Sequence, residues 1–273
     1  MKKWIVAFFV FFNVLPVGGQ DLTYSQRPKH LNLSLNKQYV ITQIIRGTEY
    51  AGSGNIFLFF DVELITPKDT FKINASVKKV ILQSTIANQT RVFDSEKLAD
   101  SASEMSVFFK RILRSPILMD VSASSGEIIA LDTSKAVEFL ATVQWENFFD
   151  DFSSSIFNYI SVAEVGRNTV LSKKSKGFSE EINYLLDSTS GGNRFFSITG
   201  NRKTNDERQI AGSKVFQEYD FTLTGIIKVD IASHFVLSKK TIYSGKGSIV
   251  IGDKKNPVTL NQVIESVISF PVD

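Results

Sequence analysis

Apolar and polar side chains alternate with a period of two along much of this chain of 273 residues. In the segment 56–64 every even-numbered residue is apolar, and in the segment 71–78 the odd-numbered residues are apolar while the even-numbered ones are polar. Successive side chains of a β-strand point to opposite faces of a sheet, so this alternation predicts strands with one buried face. The pattern returns at 215–229, where we expect Tyr219 and Phe221 to point inward.

Turn-forming residues divide the chain between these strands. The run Ser190-Gly191-Gly192-Asn193 predicts a tight hairpin, because two adjacent glycines suit the turn that joins antiparallel strands. The segment 47–54 is rich in glycine and predicts a break. Gly245-Lys246-Gly247 predicts a turn between two further strands. The polar segment 201–213 predicts a loop.

Two segments have a helical rather than a strand period. Apolar residues recur every three to four positions between Leu98 and Ile112, which predicts an amphipathic helix. A second apolar stripe between Val137 and Ile156 predicts one long or broken helix over about 134–159.

These patterns together predict an α+β protein. We expect a curved antiparallel β-sheet, similar to half a barrel, with two helical segments packed on its concave side. The sheet and helices would form a single domain over residues 20–273, built from two loosely duplicated sheet halves at about 30–130 and 165–273.

The first nineteen residues have the composition of a secretory signal peptide. Lys2 and Lys3 precede an apolar run that ends at Pro16, and the small residues 17–19 follow. The run is too short to span a membrane, which takes about 20 apolar residues. We therefore expect residues 1–19 to be removed before Gln20 and the product to be exported, soluble in the periplasm or outside the cell.

The chain has no cysteine. This composition excludes disulfide bonds, thiol catalysis and cysteine metal sites, and it excludes a lipid anchor attached to cysteine. Export and the lack of cysteine therefore predict a protein without a lipid anchor, stabilised by its apolar core alone.

The charge is nearly balanced. The full chain has 31 Lys and Arg against 28 Asp and Glu, and the loss of Lys2 and Lys3 would leave 29 against 28. Such a balance does not favour nucleic acid as a partner. Short lysine clusters at 173–176, 239–240 and 254–255 predict exposed turns, with contact to an anion or a lipid headgroup as the alternative.

No motif of known catalytic chemistry occurs. The two histidines, His30 and His234, are too few for a typical metal site or base-activated nucleophile, and we expect structural or surface roles for both. The acid pairs Asp61 with Glu63 and Asp150 with Asp151 are interpreted as polar faces of amphipathic elements, with a cation site as the alternative. The sequence thus predicts no catalytic residue, no metal site, no cofactor and no enzymatic activity.

Three short segments carry a resemblance to a known family. They are Leu33-Ser34-Leu35-Asn36-Lys37-Gln38-Tyr39, the segment from Phe93-Asp94-Ser95 through 116–129, and Leu223-Thr224-Gly225-Ile226 with Val229-Asp230. Over about 30–251 the chain resembles a family of uncharacterised exported proteins of Gram-negative bacteria, although Asn36 stands where that family has Gly. The expected architecture is also similar to that of periplasmic lipoprotein carriers, which have a half-barrel with helices over an apolar cavity.

Phenylalanine is unusually frequent, with 23 residues. These side chains either fill a core or line an apolar cavity. The cavity interpretation predicts a binding module for a hydrophobic ligand such as a lipid or acyl chain, and the alternative is a structural or protein-interaction component of the cell envelope. The candidate ligand-binding residues are Phe57, Phe59, Phe60, Phe108, Phe109, Phe148, Phe149 and Phe152.

Overall fold

The computed structural model describes most of the chain after residue 29. The described residues are 30–45, 47–65, 70–86, 88–97, 113, 116–122, 128–132, 148–157, 166–175, 177–210, 213–251 and 253–271. The predicted signal peptide at 1–19 and the predicted first helix at 98–112 lie outside them, as do Phe108 and Phe109.

Strands dominate the described residues, 85% of which are in β-structure. The first six strands are β1 His30–Ile45, β2 Thr48–Ile65, β3 Thr70–Ile86, β4 Gln89–Asp94, β5 Pro116–Ser122 and β6 Ile128–Asp132. A helix, α1, spans Phe148–Ile156. The remaining strands are β7 Asn168–Ser175, β8 Phe178–Ser190, β9 Asn193–Ile210, β10 Ser213–Asp230, β11 Val236–Ile251 and β12 Lys254–Ser269.

All twelve strands belong to one sheet, in the order β6-β5-β3-β2-β1-β12-β11-β10-β9-β8-β7, with β4 paired to the end of β3. Every pairing is antiparallel. The first described strand pairs with the last, so that Leu33 lies opposite Ile268. This pairing joins the first sheet half, β1–β6, to the second sheet half, β7–β12, in a continuous sheet.

One face of the sheet, here called the inner face, carries the core. Leu33 and Phe60 are directly paired on this face, and each is 1% exposed. Phe157 joins the two halves across it, because its ring stacks on Phe71 of β3 at 4.7 Å and contacts Phe235, just before β11, at 5.7 Å. The opposite face is called the outer face.

Alternation correctly predicts which side chains are inward. The even-numbered residues Leu58 to Leu64 of β2 are buried, as are Phe71, Ile73, Ala75 and Val77 of β3. The pairing of β2 with β3 shifts by one residue between Phe59 and Phe60, and the buried series of β3 then continues at Val80. A bulge of this kind keeps the inner side chains on one face.

The glycine hairpin and the β10 alternation are also confirmed. Gly191 and Gly192 have φ values of 55° and 75° and connect β8 to β9. Two consecutive positive φ values match the twist of the paired strands, and glycine adopts them without steric cost. Tyr219 and Phe221 are buried on the inner face, with exposures of 7% and 5%.

The predicted α+β class is wrong, because the described fold is nearly all antiparallel β-sheet with one short helix. The helix expected over 134–159 is helical at Phe148–Ile156, while Phe157 forms an isolated β-bridge with Phe235 and the residues at 133–147 and 158–165 lie outside the described ones. Within the described residues, no helix has the length and apolar character needed to cross a membrane.

Three predicted breaks are also wrong. The expected loop at 201–213 continues β9 to Ile210 and begins β10 at Ser213. Of the glycines in 47–54, Gly47 lies in the turn before β2, and Gly52 and Gly54 lie within that strand. The expected turn at Gly245-Lys246-Gly247 lies inside β11.

Candidate functional site

A buried polar cluster lies between α1 and the inner face of the second sheet half. Its strand residues come from β8, β9 and β11, and one carboxylate comes from the helix. We call it the Arg202 cluster; it comprises Asp151, Glu180, Tyr184, Arg202, Lys239 and Tyr243.

Strand register brings the first two charges together. Glu180 of β8 is directly paired with Arg202 of β9, and directly paired residues point to the same face. The guanidinium of Arg202 donates from Nε and Nη2 to Glu180 Oε1, each at 2.6 Å. Both side chains are almost fully buried, at 9% and 8% exposure. A buried charge needs such a partner, because burial removes its hydration.

The helix adds a second carboxylate to the same arginine. Asp151 Oδ1 of α1 lies 3.7 Å from Arg202 Nη2. The guanidinium also packs on two aromatic rings. Its Cζ atom lies 4.4 Å from the centroid of the Tyr243 ring and 5.5 Å from the centroid of the Phe178 ring. These contacts are typical of arginine, whose planar cation forms ion pairs and packs on aromatic rings at once.

Lys239 makes the second polar attachment of α1. Its Nζ donates to Ser154 Oγ at 2.8 Å. Burial lowers the pKa of Lys239, although the charges of Asp151 and Glu180 act in the opposite direction. The helix is therefore joined to the sheet through Arg202 on β9 and Lys239 on β11.

Two hydroxyl groups beside Lys239 have no hydrogen-bond partner among the described residues. Ser266 of β12 is directly opposite Lys239, and Thr241 follows two residues along β11 on the same inner face. Both residues are 2% exposed, and within the described part of the chain nothing is hydrogen-bonded to Oγ of Ser266 or Oγ1 of Thr241. Buried hydroxyls are usually hydrogen-bonded, so this pair is suited to a ligand atom that accepts hydrogen bonds.

Aromatic rings of α1 and β2 pack against one another on the inner face. The Phe60 ring lies 5.1 Å from Phe152 and 6.1 Å from Phe148, and Phe149 contacts Phe148 at 5.3 Å. Four of the eight candidate phenylalanines are thus brought together on the inner face or on α1. Phe57 and Phe59 lie on the outer face of β2, because they alternate with the buried Phe60.

The structure agrees with the sequence interpretation of one acid pair, and it differs from that interpretation for Asp151 and for Lys239. Asp61 forms an ion pair with Lys78, and Glu63 accepts a hydrogen bond from Asn74, as expected for polar strand faces. Asp151, in contrast, is buried at 6% exposure. The exposed turn expected at Lys239 is wrong, since this residue lies within β11 and contacts the helix.

The sequence does not predict Arg202 as a site residue, because the polar composition of 201–213 predicts a loop. The inward series that contains Arg202 nevertheless begins with the apolar Phe196 and Ile198, at even-numbered positions before it. His234 has a φ of 61° in the turn before β11 and its backbone N–H donates to Asp230 O. The described residues contain no group of three or more potential metal ligands.

Burial raises the pKa of Tyr184 and of Tyr243 above the ordinary value of 10.0. Above pH 10 the unfolded chain loses these two protons while the folded protein keeps them, so stability should fall as pH rises. The expected slope at full titration is about 1.4 kcal/mol per pH unit for each tyrosine. Lys239 acts in the opposite direction, because its lowered pKa makes stability rise with pH below its ordinary value of 10.5.

Urea unfolding of the wild type and of Tyr184→Phe/Tyr243→Phe between pH 8 and 11.5 tests this expectation. The difference between the two proteins isolates the tyrosines, because Lys239 is common to both. The wild type should lose more stability above pH 10 than the double variant. Parallel pH profiles would contradict the assignment.

Comparison with known proteins identifies a fold likeness and no sequence family. No protein-family model matches the chain, and no curated protein matches its sequence. DynF from the dynemicin biosynthesis pathway of Micromonospora chersina has 8% identity and a TM-score of 0.25, over 88% of this chain and 81% of that one. OccK5 (OpdH) of Pseudomonas aeruginosa has 6% identity and a TM-score of 0.25, over 88% and 98%. Both scores are too low to support an argument.

A structure that describes lipid–protein interactions in lipovitellin gives the stronger match. The TM-score is 0.52 at 9% identity, over 90% of this chain and 26% of that chain. This chain therefore corresponds to about a quarter of that larger chain. At this identity the likeness concerns the fold alone. The fold of this chain is similar to that of part of the lipovitellin chain.

Proposed function

We propose that this protein is an exported, non-enzymatic binding protein that holds an amphiphile, such as a fatty acid, against the inner face of its sheet. The observation that carries the proposal is the pair of buried hydroxyls of Thr241 and Ser266, which lie beside Lys239 on the inner face and have no hydrogen-bond partner among the described residues. The fold likeness to lipovitellin supports a sheet suited to lipid.

Two chemically distinct parts of the inner face match the two parts of such a ligand. The Phe60, Phe148 and Phe152 rings are buried against one another and would offer apolar surface to an acyl chain once α1 shifts. Lys239, Thr241 and Ser266 offer one positive charge and two hydroxyl donors to a carboxylate, and charge-assisted hydrogen bonds of this kind are stronger than neutral ones.

Entry of the ligand would require α1 to shift. Thr241 and Ser266 are 2% exposed, and the amine of Lys239 is engaged with Ser154. A ligand carboxylate can replace Ser154 at Lys239, while the acyl chain replaces part of the helix aromatic surface. The helix is short, with nine residues, and few contacts have to be exchanged.

A double substitution tests the headgroup site without weakening the fold. Thr241→Val/Ser266→Ala removes two hydroxyls that have no hydrogen-bond partner among the described residues, so stability should stay the same or increase. Affinity for a fluorescent long-chain fatty acid should fall about 100-fold or more, since two hydrogen bonds to a charged group are lost and each is worth roughly 1.5–3 kcal/mol. Fluorescence titration and urea unfolding measure the two effects.

Thr224→Val/Ser269→Ala is the matched control, because both residues are exposed on β10 and β12. This control variant should bind the fatty-acid probe like the wild type.

Native mass spectrometry of the purified protein should also find a copurified lipid. The proposal fails if no lipid copurifies and no fatty-acid probe binds at micromolar concentration, or if both double variants bind like the wild type.

A second candidate function is that of a protein-interaction component of the cell envelope. Strand β7 is at one end of the sheet order, and within the described residues it pairs with β8 alone. Its Val170 and Leu171 are 53% and 42% exposed. An exposed edge with apolar side chains suits addition of a strand from another protein. A stoichiometric protein partner that is lost with Val170→Lys/Leu171→Lys would favour this function over lipid binding.

A further inference from the structure

A second candidate binding site lies on the outer face, away from the Arg202 cluster. It is a groove of about 620 Å³ that extends from β7 to β12. Lys174, Ser179, Lys203, Asp220 and Lys246 line it and form one register row, in which each residue is directly paired with the next. These residues alternate with the inward Tyr219 and Phe221, so the row lies on the outer face.

The groove has an excess of positive charge. Its lining includes the four lysines Lys174, Lys203, Lys246 and Lys255, and two acids, Glu218 and Asp220. Lys203 is ion-paired with Asp220 at 3.1 Å. For the other three lysines, no carboxylate in the described part of the chain lies within ion-pair distance. Their charges remain available to a ligand.

A buried hydroxyl also lines the groove. Ser248 is 5% exposed, and its Oγ has no hydrogen-bond partner in the part of the chain that the structure describes. It is directly paired with Glu218, another lining residue. Because a buried hydroxyl is normally satisfied, the orphaned Oγ indicates a ligand that carries hydrogen-bond acceptors. The lysines independently indicate that this ligand is an anion.

We propose that this groove binds a phosphate group, carried either by a small molecule or by a lipid headgroup. A phosphate presents several acceptor oxygens and a charge near −2, which suit the Ser248 hydroxyl and the lysine charges that line the groove. The site shares no residue with the inner-face site. The proposal of phosphate binding is therefore tested independently of the proposal of amphiphile binding.

Isothermal titration with inorganic pyrophosphate and cosedimentation with vesicles test the proposal on the purified protein. Vesicles of phosphatidylglycerol carry exposed phosphate charge, and vesicles of phosphatidylcholine serve as the neutral comparison. The wild type should bind pyrophosphate, phosphatidylglycerol vesicles or both, more weakly as salt increases. The probe that binds distinguishes a free phosphate from a headgroup.

Lys174→Ala/Lys246→Ala should weaken that binding about 25-fold at low salt, because each lysine near an anionic surface contributes a factor of about five to the affinity. Ser248→Ala should weaken it about tenfold or more through the lost hydrogen bond to a charged group. The matched control is Lys72→Ala/Lys97→Ala, which removes two exposed lysines from the other sheet half. Fatty-acid binding at the inner face should be unchanged in all of these variants.

The result that overturns the proposal is equally specific. It is rejected if the wild type binds neither pyrophosphate nor phosphatidylglycerol vesicles. It is also rejected if the groove variant and the control variant lose affinity equally, since that would reflect net charge alone. Thermal unfolding of each variant verifies that the fold is intact.

Discussion

Replacing Arg202 with methionine should lower the free energy of unfolding by about 3–5 kcal/mol. The substitution removes the guanidinium from the buried carboxylates of Glu180 and Asp151, and removing one partner of a buried ion pair is far more costly than removing an exposed charge. It also removes the cation from the Tyr243 ring, 4.4 Å away. Urea unfolding followed by circular dichroism measures the loss.

The neighbouring residue provides the control for this experiment. Lys203 forms an ion pair with Asp220 on the outer face, where the two side chains are 68% and 62% exposed. Exposed pairs contribute about 0–1 kcal/mol, so Lys203→Met should change stability little. Similar losses in the two variants would refute the view that Arg202 is the main polar attachment of α1.

A third variant separates loss of charge from loss of packing. Arg202→Met/Glu180→Met replaces the buried pair with apolar side chains, so that Asp151 alone loses its contact with the guanidinium. Because apolar replacement of a buried ion pair is often neutral or stabilising, this variant should be more stable than Arg202→Met alone. A further loss on addition of Glu180→Met would mean that Glu180 stabilises the fold by other contacts.

The sequence predicts the strands best where one face is apolar and the other polar. In β2 and β3 the alternation identifies the inward residues correctly, including the continuation of β3 across the bulge at Lys78. In β9 the inward positions include Gly200, Arg202 and Thr204, so polar residues occupy both faces and the alternation disappears. The segment therefore has the composition of a loop although it is a paired strand.

The candidate site is still less accessible to sequence reasoning. The apolar character of Phe60, Phe148 and Phe152 predicts their burial. The Arg202 cluster, in contrast, depends on the register of β8 against β9 and on the position of α1, whose Asp151 lies far from Arg202 in the sequence. Neither is encoded in a local pattern. The pairing of Asp151 with Arg202 becomes visible only when the helix and the sheet are both in place.

Glycines within strands explain two further differences. Gly54 is directly opposite Tyr39, and Gly245 is directly opposite Phe221. In both pairs the aromatic ring lies where a Cβ atom would be, so the glycine allows close packing of a ring over the backbone. A sequence rich in glycine thus predicts a turn where the protein has an aromatic–glycine pair.

Gly200→Ala should cost about 3 kcal/mol, since overpacking a well-packed site costs roughly 1–3 kcal/mol and the obstacle here is backbone. A Cβ at this position would clash with the backbone oxygen of Glu181 and would lie 3.0 Å from Ile182 Cα. Strand β8 would have to move away from β9, which also separates Glu180 from Arg202. The loss should therefore be less than additive with that of Arg202→Met, because the two changes disrupt the same contact.

Gly52→Ala is the matched control in β2. Its added Cβ would meet Ile41 Cγ2 at 3.7 Å and Thr85 O at 3.8 Å, which are ordinary contact distances. This substitution should be neutral or stabilise the protein by up to about 1 kcal/mol, because alanine loses less backbone entropy on folding than glycine. Urea unfolding of both single variants and of Gly200→Ala/Arg202→Met gives all the required differences. If Gly200→Ala unfolds at the same urea concentration as Gly52→Ala, β8 does not pass as close to Gly200 as the structure indicates, and the register that pairs Glu180 with Arg202 is wrong.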